Sequence, residues 1–535
     1  MTSHVTSQLS GEDAAPLPLI QLDALGPRWV KVLDQERCIG CHACTTACKS
    51  ENEVPLGVTR TYVKAVEVGT FPQVRRDFQV TRCNQCSDAP CVAACPTSAM
   101  FTRPDGIVDF NKDSCIGCKA CIAACPYDAI FINPEDHSAE KCNFCAQRID
   151  VGLEPACVVV CPAQAILVGD LNDPTSKVAQ IINREAVQVR RPEKETRPGV
   201  FYKGAHQATL DPLAARSPEG PVYMWSEKES GPMIVESGHP NHANSSAAAL
   251  LAYDVTHRAP WDWRVSLYTW TKGIAAGAYI VPLLLLMAGV SASGGPLWQW
   301  IAPILAGGFL GLTGLILLAD LEHPGRFIYI FTRPQWRSWL VRGAVIISAY
   351  GLVLGLHFAI SVLMATGLAG ESAGLQSILA IAGLPLAAMT AVYTAYLFAQ
   401  AKARDLWQNP LLPPHLAVQA VLAGSAILIP IAVLLEPAAV PALALLLAAT
   451  SGLHLLMVAG EITLPHPTAH AHLASWHLTR GRFQRWFWLG VALVAAGLSA
   501  PFLPALAPVA AAAALVGLLA HEHAYVQAGQ SVPLA

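Results

Sequence analysis

CIGCHACTTACK, residues 38–49, and CIGCKACIAACP, residues 115–126, decide how this chain must fold. Each holds four cysteines in the spacing C-x2-C-x2-C-x3-C, a bacterial iron–sulfur run. In the first these are Cys38, Cys41, Cys44 and Cys48, and in the second Cys115, Cys118, Cys121 and Cys125. Cys83, Cys86, Cys91 and Cys95 make another run, and Cys142, Cys145, Cys157 and Cys161 the last. Together they are all 16 cysteines of the chain. Zinc ribbons instead pair two C-x2-C units across a gap of about 15–20 residues. A run this tight wraps one cubane and sends its fourth thiolate to the neighbouring cluster. Sixteen thiolates hold four 4Fe–4S clusters with none left over, so the chain is expected to conduct electrons.

A length of 535 residues predicts more than one domain. The expected parts are an extension over 1–29, a four-cluster ferredoxin-like domain over 30–189, a connecting arm over 190–260 and a membrane domain over 261–535. A net charge of −3 gives no reason to expect nucleic acid as a partner. Residues 1–37 show neither an apolar signal core nor a twin-arginine pair, so no export address is visible. Cysteines this dense in an unexported chain read as metal ligands rather than disulfides. The arm is rich in Pro, Gly, Ser and charge (RRPEKETRPG, RSPEGP, SGHPNHANSS), which predicts an irregular connection. It serves as a flexible tether, or lies on a partner through Tyr202, Tyr223 and Trp225.

Apolar segments follow over 264–290, 297–319, 339–365, 375–399, 414–434, 438–460, 485–502 and 504–524. Most reach the roughly 20 residues a helix needs to cross a bilayer. The last two are short and broken by Pro501, Pro504 and Pro508. Tryptophans 261, 263, 298, 300, 336, 339, 407, 486 and 488 gather at segment ends, as an interfacial belt should. An even number of spans returns the C-terminus to the cysteine side. Loops there carry Arg326, Arg333, Arg337, Arg342, Lys402, Arg404, Arg480, Arg482 and Arg485, whereas opposite loops carry only Glu371 and Glu436. That bias predicts an inner-membrane protein whose iron–sulfur domain faces the cytoplasm.

The order of the four runs resembles the four-cluster electron-transfer subunits of molybdopterin oxidoreductases, such as dimethyl sulfoxide, polysulfide and nitrate reductases. The resemblance covers about residues 30–200. It implies one cluster on Cys38, Cys41, Cys44 and Cys161, and another on Cys142, Cys145, Cys157 and Cys48. The remaining two would use Cys83, Cys86, Cys91 and Cys125, and Cys115, Cys118, Cys121 and Cys95. Nitrate reductases have Trp where Cys118 stands, so Cys118 implies a fourth 4Fe–4S centre. The first run ends in Cys48-Lys49 rather than Cys-Pro. The stretches YTWTKGIAAGAY, LADLEHPGRFIYIFTRPQWRSWLVRG, YTAYLFAQAKARDLW and HAYVQAGQSVPL resemble the eight-helix NrfD/PsrC membrane anchors. Such anchors bind a quinone and no haem. The expected fold is an α+β double-ferredoxin-like iron–sulfur domain followed by an all-α bundle of eight transmembrane helices.

Ionisable residues inside a membrane are costly, so each is a candidate for function. Lys272 lies about 12 Å into the first segment at about 1.5 Å per residue, with Tyr268 one turn above it. Asp320, His323 and Arg326 gather where the second segment leaves the membrane, Tyr393 and Tyr396 near the end of the fourth, and His454 in the sixth. The resemblance favours Lys272 and Tyr393 as contacts for menaquinone or ubiquinone. Competing readings are a snorkelling Lys272, an Asp320–Arg326 ion pair and an interfacial Tyr396. His521 and His523 are expected at the surface. His357 and His454 are taken as the only histidines deep in spans; their depths differ, so no haem is expected. The function that follows is electron transfer between membrane quinone and a separate molybdopterin-containing catalytic subunit. The alternative is a redox-driven ion-translocating complex of the alternative complex III type.

Overall fold

A computed structural model describes residues 26–70, 72–215, 249–368 and 373–535. Most of the N-terminal extension, the middle of the arm with Tyr223 and Trp225, and Glu371 lie outside the described residues.

Strand Trp29–Asp34 organises the first half. Its apolar residues are interrupted by Lys31 and end at Asp34, yet five of the six residues are buried, because the strand is flanked on both sides in a four-stranded sheet. It runs antiparallel to Ile166–Asp170, with Lys31 opposite Val168, and parallel to Val200–Lys203, with Lys31 opposite Val200. Thr61–Thr70 pairs along its whole length with Gln73–Arg82, and Leu250–Tyr253 adds a third strand. The hairpins Met100–Thr102 with Val108–Phe110 and Ile130–Ile132 with Ala139–Lys141 each follow a run ending in Cys-Pro. The arm is less irregular than expected, since it supplies Val200–Lys203 and Leu250–Tyr253. Four residues are too few to stand out as a two-residue period among Pro and Gly. Tyr202 is fully buried in its own sheet and so is not offered to a partner.

Among the described residues, seven helices of the second half are long and apolar enough to cross a membrane. They are Trp263–Met287, Leu297–Ala319, Trp339–Ala365, Ile378–Gln400, Leu412–Leu435, Pro437–Thr463 and Pro504–Gln530. The segment expected over 485–502 forms the shorter helix Gln484–Ala496, closed by a 3-10 turn at Gly497–Ser499. Pro501 and Pro504 lack the backbone donors that would extend it. The first and fifth spans cross at Gly277 and Gly424, where a Cβ on either would collide with the other's backbone. Trp263, Trp336, Trp486 and Trp488 are exposed, as belt residues should be, but Trp298 and Trp407 are fully buried. Trp407 is held inside by stacking on Phe398 and Trp261, with ring centroids 4.6 and 5.6 Å away.

That stack belongs to a core shared by both halves. Ala94, Ala120, Ala123 and Ala124 of the cysteine runs pack with Trp261, Phe398 and Trp407. Alanines between cysteines let the backbone approach closely, and Trp261 Nε1 donates to the Cys118 carbonyl at 3.3 Å. The final residues are drawn into the same seam. Lys64 Nζ donates to the Ala535 carbonyl at 3.0 Å and an Arg190 Nη to that of Leu534 at 3.0 Å. Arg404 binds the Gln530 and Val532 carbonyls at 3.1 and 3.2 Å.

Candidate functional site

The two identical CIGC stretches fold identically. Gly40 and Gly117 both adopt φ of 69°, a left-handed turn that a side chain would strain. His42 and Lys119 follow with φ of 58° and 61°, each starting a short helix. The helices then differ in length. Ala120–Ala124 stops before Cys125, because Pro126 holds the residue ahead of it extended, at φ −76° and ψ 114°. Cys48 precedes Lys49 instead, so its helix continues over Ala43–Glu51 and keeps Cys48 helical. The departure from Cys-Pro changes the length of the helix and leaves the thiol buried.

The fold brings the thiols together in groups drawn from paired runs. Cys38 faces Cys161 and Cys41, and Cys44 faces Cys38, Cys157 and Cys161. Cys48 faces Cys142, Cys157 and Cys145. Cys91 faces Cys125, Cys83 and Cys86. Cys121 faces Cys118, Cys95 and Cys115, and these last four line one cavity. Thiols so arranged, mostly buried and unpaired as disulfides, suit iron–sulfur cubanes. Their surroundings are unequal. Burial pushes the thiols of Cys44 and Cys48 up to about 11 and about 12. Burial also acts on Cys157, but Lys31 and Arg82 outweigh it and bring that thiol down to about 7. An Arg82 Nη donates to Cys157 Sγ at 3.2 Å and Lys31 Nζ lies 3.9 Å away. The Cys95–Cys115 group has neutral donors: the amides of Met100, Gly117 and Ala139 each reach a sulfur at 3.4 Å.

This last group meets the membrane half. Lys119, beside Cys118, forms ion pairs with Asp320 at 3.6 Å and Glu322 at 3.0 Å. Arg326 does not pair with Asp320; its Nη1 donates to the carbonyls of Lys112 and Cys115 at 2.9 and 3.1 Å. Burial pushes Asp320 up to about 6, with Lys119 opposing. Tyr268 has Tyr393, Asp320 and Glu522 as its electrostatic neighbours, and the Thr394 side chain lies beside its hydroxyl. Lys272 is 1% exposed, so it does not snorkel. Its Nζ donates to the Ala391 carbonyl at 2.7 Å and lies 5.0 Å from the centre of the Tyr393 ring. The hydroxyls of Tyr268, Thr390 and Thr394 and His323 Nε2 are buried and form no close hydrogen bond among the described residues. Tyr396 stands apart, 40% exposed and stacked on Trp339 at 4.5 Å.

Comparison with known proteins follows this division. A 4Fe-4S binding domain matches residues 29–50, and a 4Fe-4S dicluster domain matches 74–171. The family described as polysulphide reductase, NrfD, matches residues 253–533. The chain belongs to the NrfD family. A tetrathionate reductase subunit of Salmonella typhimurium is 42% identical over 204 residues, 37% of this chain and 80% of that one. Protein NrfC of Escherichia coli is 42% identical over 183 residues, 34% of this chain and 82% of that one. The arsenate respiratory reductase iron-sulfur subunit ArrB of a Shewanella species is 37% identical over 219 residues, 32% of this chain and 94% of that one. This NrfD-family chain is therefore a multi-pass membrane protein. It joins an iron–sulfur electron-transfer subunit to its anchor in one polypeptide.

The NrfD half also holds a grouping the sequence reading missed. His521 is 2% exposed rather than a surface residue, His523 is half-buried, and His415 is 5% exposed. His454 joins His415 and His521 rather than Lys272: His415 Nε2 lies 2.9 Å from His454 Nδ1. His357 stands apart from this group, with its ring 4.7 Å from that of Trp298 and 5.7 Å from that of Tyr279. Histidines on three apolar helices, far apart in sequence, carry no local signal; only the facing of the helices unites His415, His454 and His521.

Proposed function

We propose that this chain carries electrons between a membrane quinone and a molybdopterin-containing catalytic subunit. The proposed ligand sets are Cys38, Cys41, Cys44 with Cys161; Cys142, Cys145, Cys157 with Cys48; Cys83, Cys86, Cys91 with Cys125; and Cys115, Cys118, Cys121 with Cys95. Each set holds one 4Fe–4S cluster in a double-ferredoxin-like domain over 30–189, tied by the arm over 190–260 to a membrane domain over 261–535. The short helix Gln484–Ala496 counts as the eighth of the bundle. The partner is proposed from the relatives, named as subunits of tetrathionate and arsenate respiratory reductases.

One observation carries the quinone reading. Unpartnered hydroxyls of Tyr268, Thr390 and Thr394 are buried near Lys272, on the side of the membrane half that bears the Cys95–Cys115 group. Buried donors are normally paired, so a set left open marks a place for a ligand's acceptors. Bound there, the quinone exchanges two electrons and two protons. Tyr268 donates to one carbonyl oxygen and Lys272 fixes the ring orientation against Tyr393. Asp320, backed by Lys119, passes the proton at its carboxyl oxygen, and His323 extends that route. Arg326 holds the Cys115 loop against the membrane half. Proton exchange at Asp320 sets the sign of the pH effect: quinol oxidation needs the ionised carboxyl and slows as pH falls through about 6.

The cysteine domain is proposed to face the cytoplasm. Arg326, Arg333 and Arg404 are engaged at the seam, but Arg337, Lys402, Arg480, Arg482 and Arg485 remain exposed on that side. The test uses the full chain purified anaerobically in lipid discs. A water-soluble quinol should bleach the cluster absorbance in wild type, and iron analysis should give about sixteen irons per chain for four cubanes. Failure of every quinol to reduce clusters that dithionite reduces would overturn the quinone assignment. About four zinc in place of iron would overturn the clusters.

A further inference from the structure

His415, His454 and His521 come from the fifth, sixth and last spans and meet at one point. One ring nitrogen of each lies within 4.8 Å of one on both others. The ring centroids are 4.8, 4.8 and 5.8 Å apart. All three side chains are buried, at 5%, 0% and 2% exposure. The 2.9 Å contact between His415 and His454 uses one proton between two rings. It leaves His454 Nε2 and His521 Nδ1 inside the bundle without partners. Neutral imidazoles so placed desolvate strong donors and acceptors and gain one hydrogen bond in return, an arrangement native interiors avoid.

We propose that the three histidines form a binding site for a divalent first-row transition metal of the zinc class. The donor set contains imidazole and no thiolate, which suits zinc over calcium or magnesium. Three protein nitrogens with a fourth position open is a zinc arrangement. Bonds of about 2.1 Å in a tetrahedron put the nitrogens about 3.4 Å apart, so small ring rotations close the present spacing. Two positive charges in an apolar bundle need a counter-charge. Glu461 supplies it. It lies two turns along the sixth span from His454, about 10 Å at 1.5 Å per residue. Its carboxyl group accepts from Asn409 Nδ2 at 3.2 Å and forms no ion pair among the described residues. Its neighbour Tyr525 stacks on His521 with centroids 6.2 Å apart. His415 sits in the first turn of its span, so the ion enters from the cysteine side and ties three helices together.

The experiment uses the full, iron-replete chain, stripped of loosely held metal with EDTA, exposed to Zn2+ and desalted. Mass spectrometry should find one zinc per chain with iron unchanged. His454→Ala should lose that zinc, and His523→Ala, on the same helix as His521 but outside the trio, should keep it. Should His454→Ala fail to fold, His454→Gln preserves size and one polar contact, and should lose the zinc as well. Zinc-edge X-ray absorption should show only nitrogen or oxygen neighbours at about 2.0–2.1 Å. No zinc above the variant background overturns the site. So does a sulfur shell at about 2.3 Å, which would place the metal on the cysteines.

Discussion

The cysteine half and the membrane half carry their chemistry in opposite ways. In the first, short local turns aim the thiols; Gly40 and Gly117 share φ of 69° because the same residues surround them. In the second, Tyr268, Asp320 and Tyr393 come from separate segments, and no single motif contains all three. Their electrostatics differ too. Lys31 and Arg82 already reach Cys157 Sγ, at 3.9 and 3.2 Å, so the protein itself adjusts the charge of what it holds. Around Lys272 the hydroxyls of Tyr268, Thr390 and Thr394 are left open. A site completed by its own side chains tunes a resident group, whereas open donors wait for a mobile one.

Two substitutions should separate these roles most sharply. Lys272→Met removes a buried amine donor and should cut quinol-linked turnover by about 100-fold, the scale of losing one preorganised hydrogen-bond donor at a reacting centre. Cluster reduction by dithionite should be untouched, and equal loss in both assays would erase the distinction between halves. Arg82→Leu acts on the other side. Removing a charge-assisted bond worth about 1.5–3 kcal/mol should lower one cluster's midpoint by about 60–130 mV, since about 59 mV corresponds to a tenfold change for one electron. Redox titration followed by electron paramagnetic resonance reads this directly. Arg82→Lys, which keeps the charge, should shift it less; no movement of any midpoint would show the cation to be structural.

Tyr268→Phe sharpens the membrane side further. Only a hydroxyl is lost, so turnover should fall about 10-fold, the value of one hydrogen bond of about 1.4 kcal/mol. An unchanged rate would mean the open hydroxyl never meets the quinone. Such residues also mark where reading the sequence stopped. The cysteine runs were legible because a cubane needs ligands within one short turn, and the spans were legible because hydrocarbon demands length. Lys272 stood out for the same reason, as an ionisable group in an apolar segment. His521 was misplaced because one histidine near a helix end looks the same whether that end meets water or two other helices. Strands Val200–Lys203 and Leu250–Tyr253 were missed because long-range pairing, not local pattern, makes them strands. The seven long helices and the shorter Gln484–Ala496 differ by two prolines whose effect on length shows only in the packed bundle.

The smallest effect belongs to the seam where the halves meet. His257 bridges Asp128, just past the third cysteine run, and Asp254, which follows the strand leading toward the membrane; the Asp254 contact is 3.1 Å. Burial alone would lower its pKa, but Asp254 and Asp128 together raise it to about 10. A histidine raised on folding stabilises the folded form fully below its unfolded value of about 6.5 and loses that contribution as pH rises through about 10. Wild type should therefore lose stability between these limits, read as a fall in the temperature at which cluster absorbance disappears. His257→Gln should remove that slope and start from the lower value. If the slope persists in the variant, another group titrates at the seam, and the link between halves rests on the Trp261 stack and the clasped C-terminal residues instead.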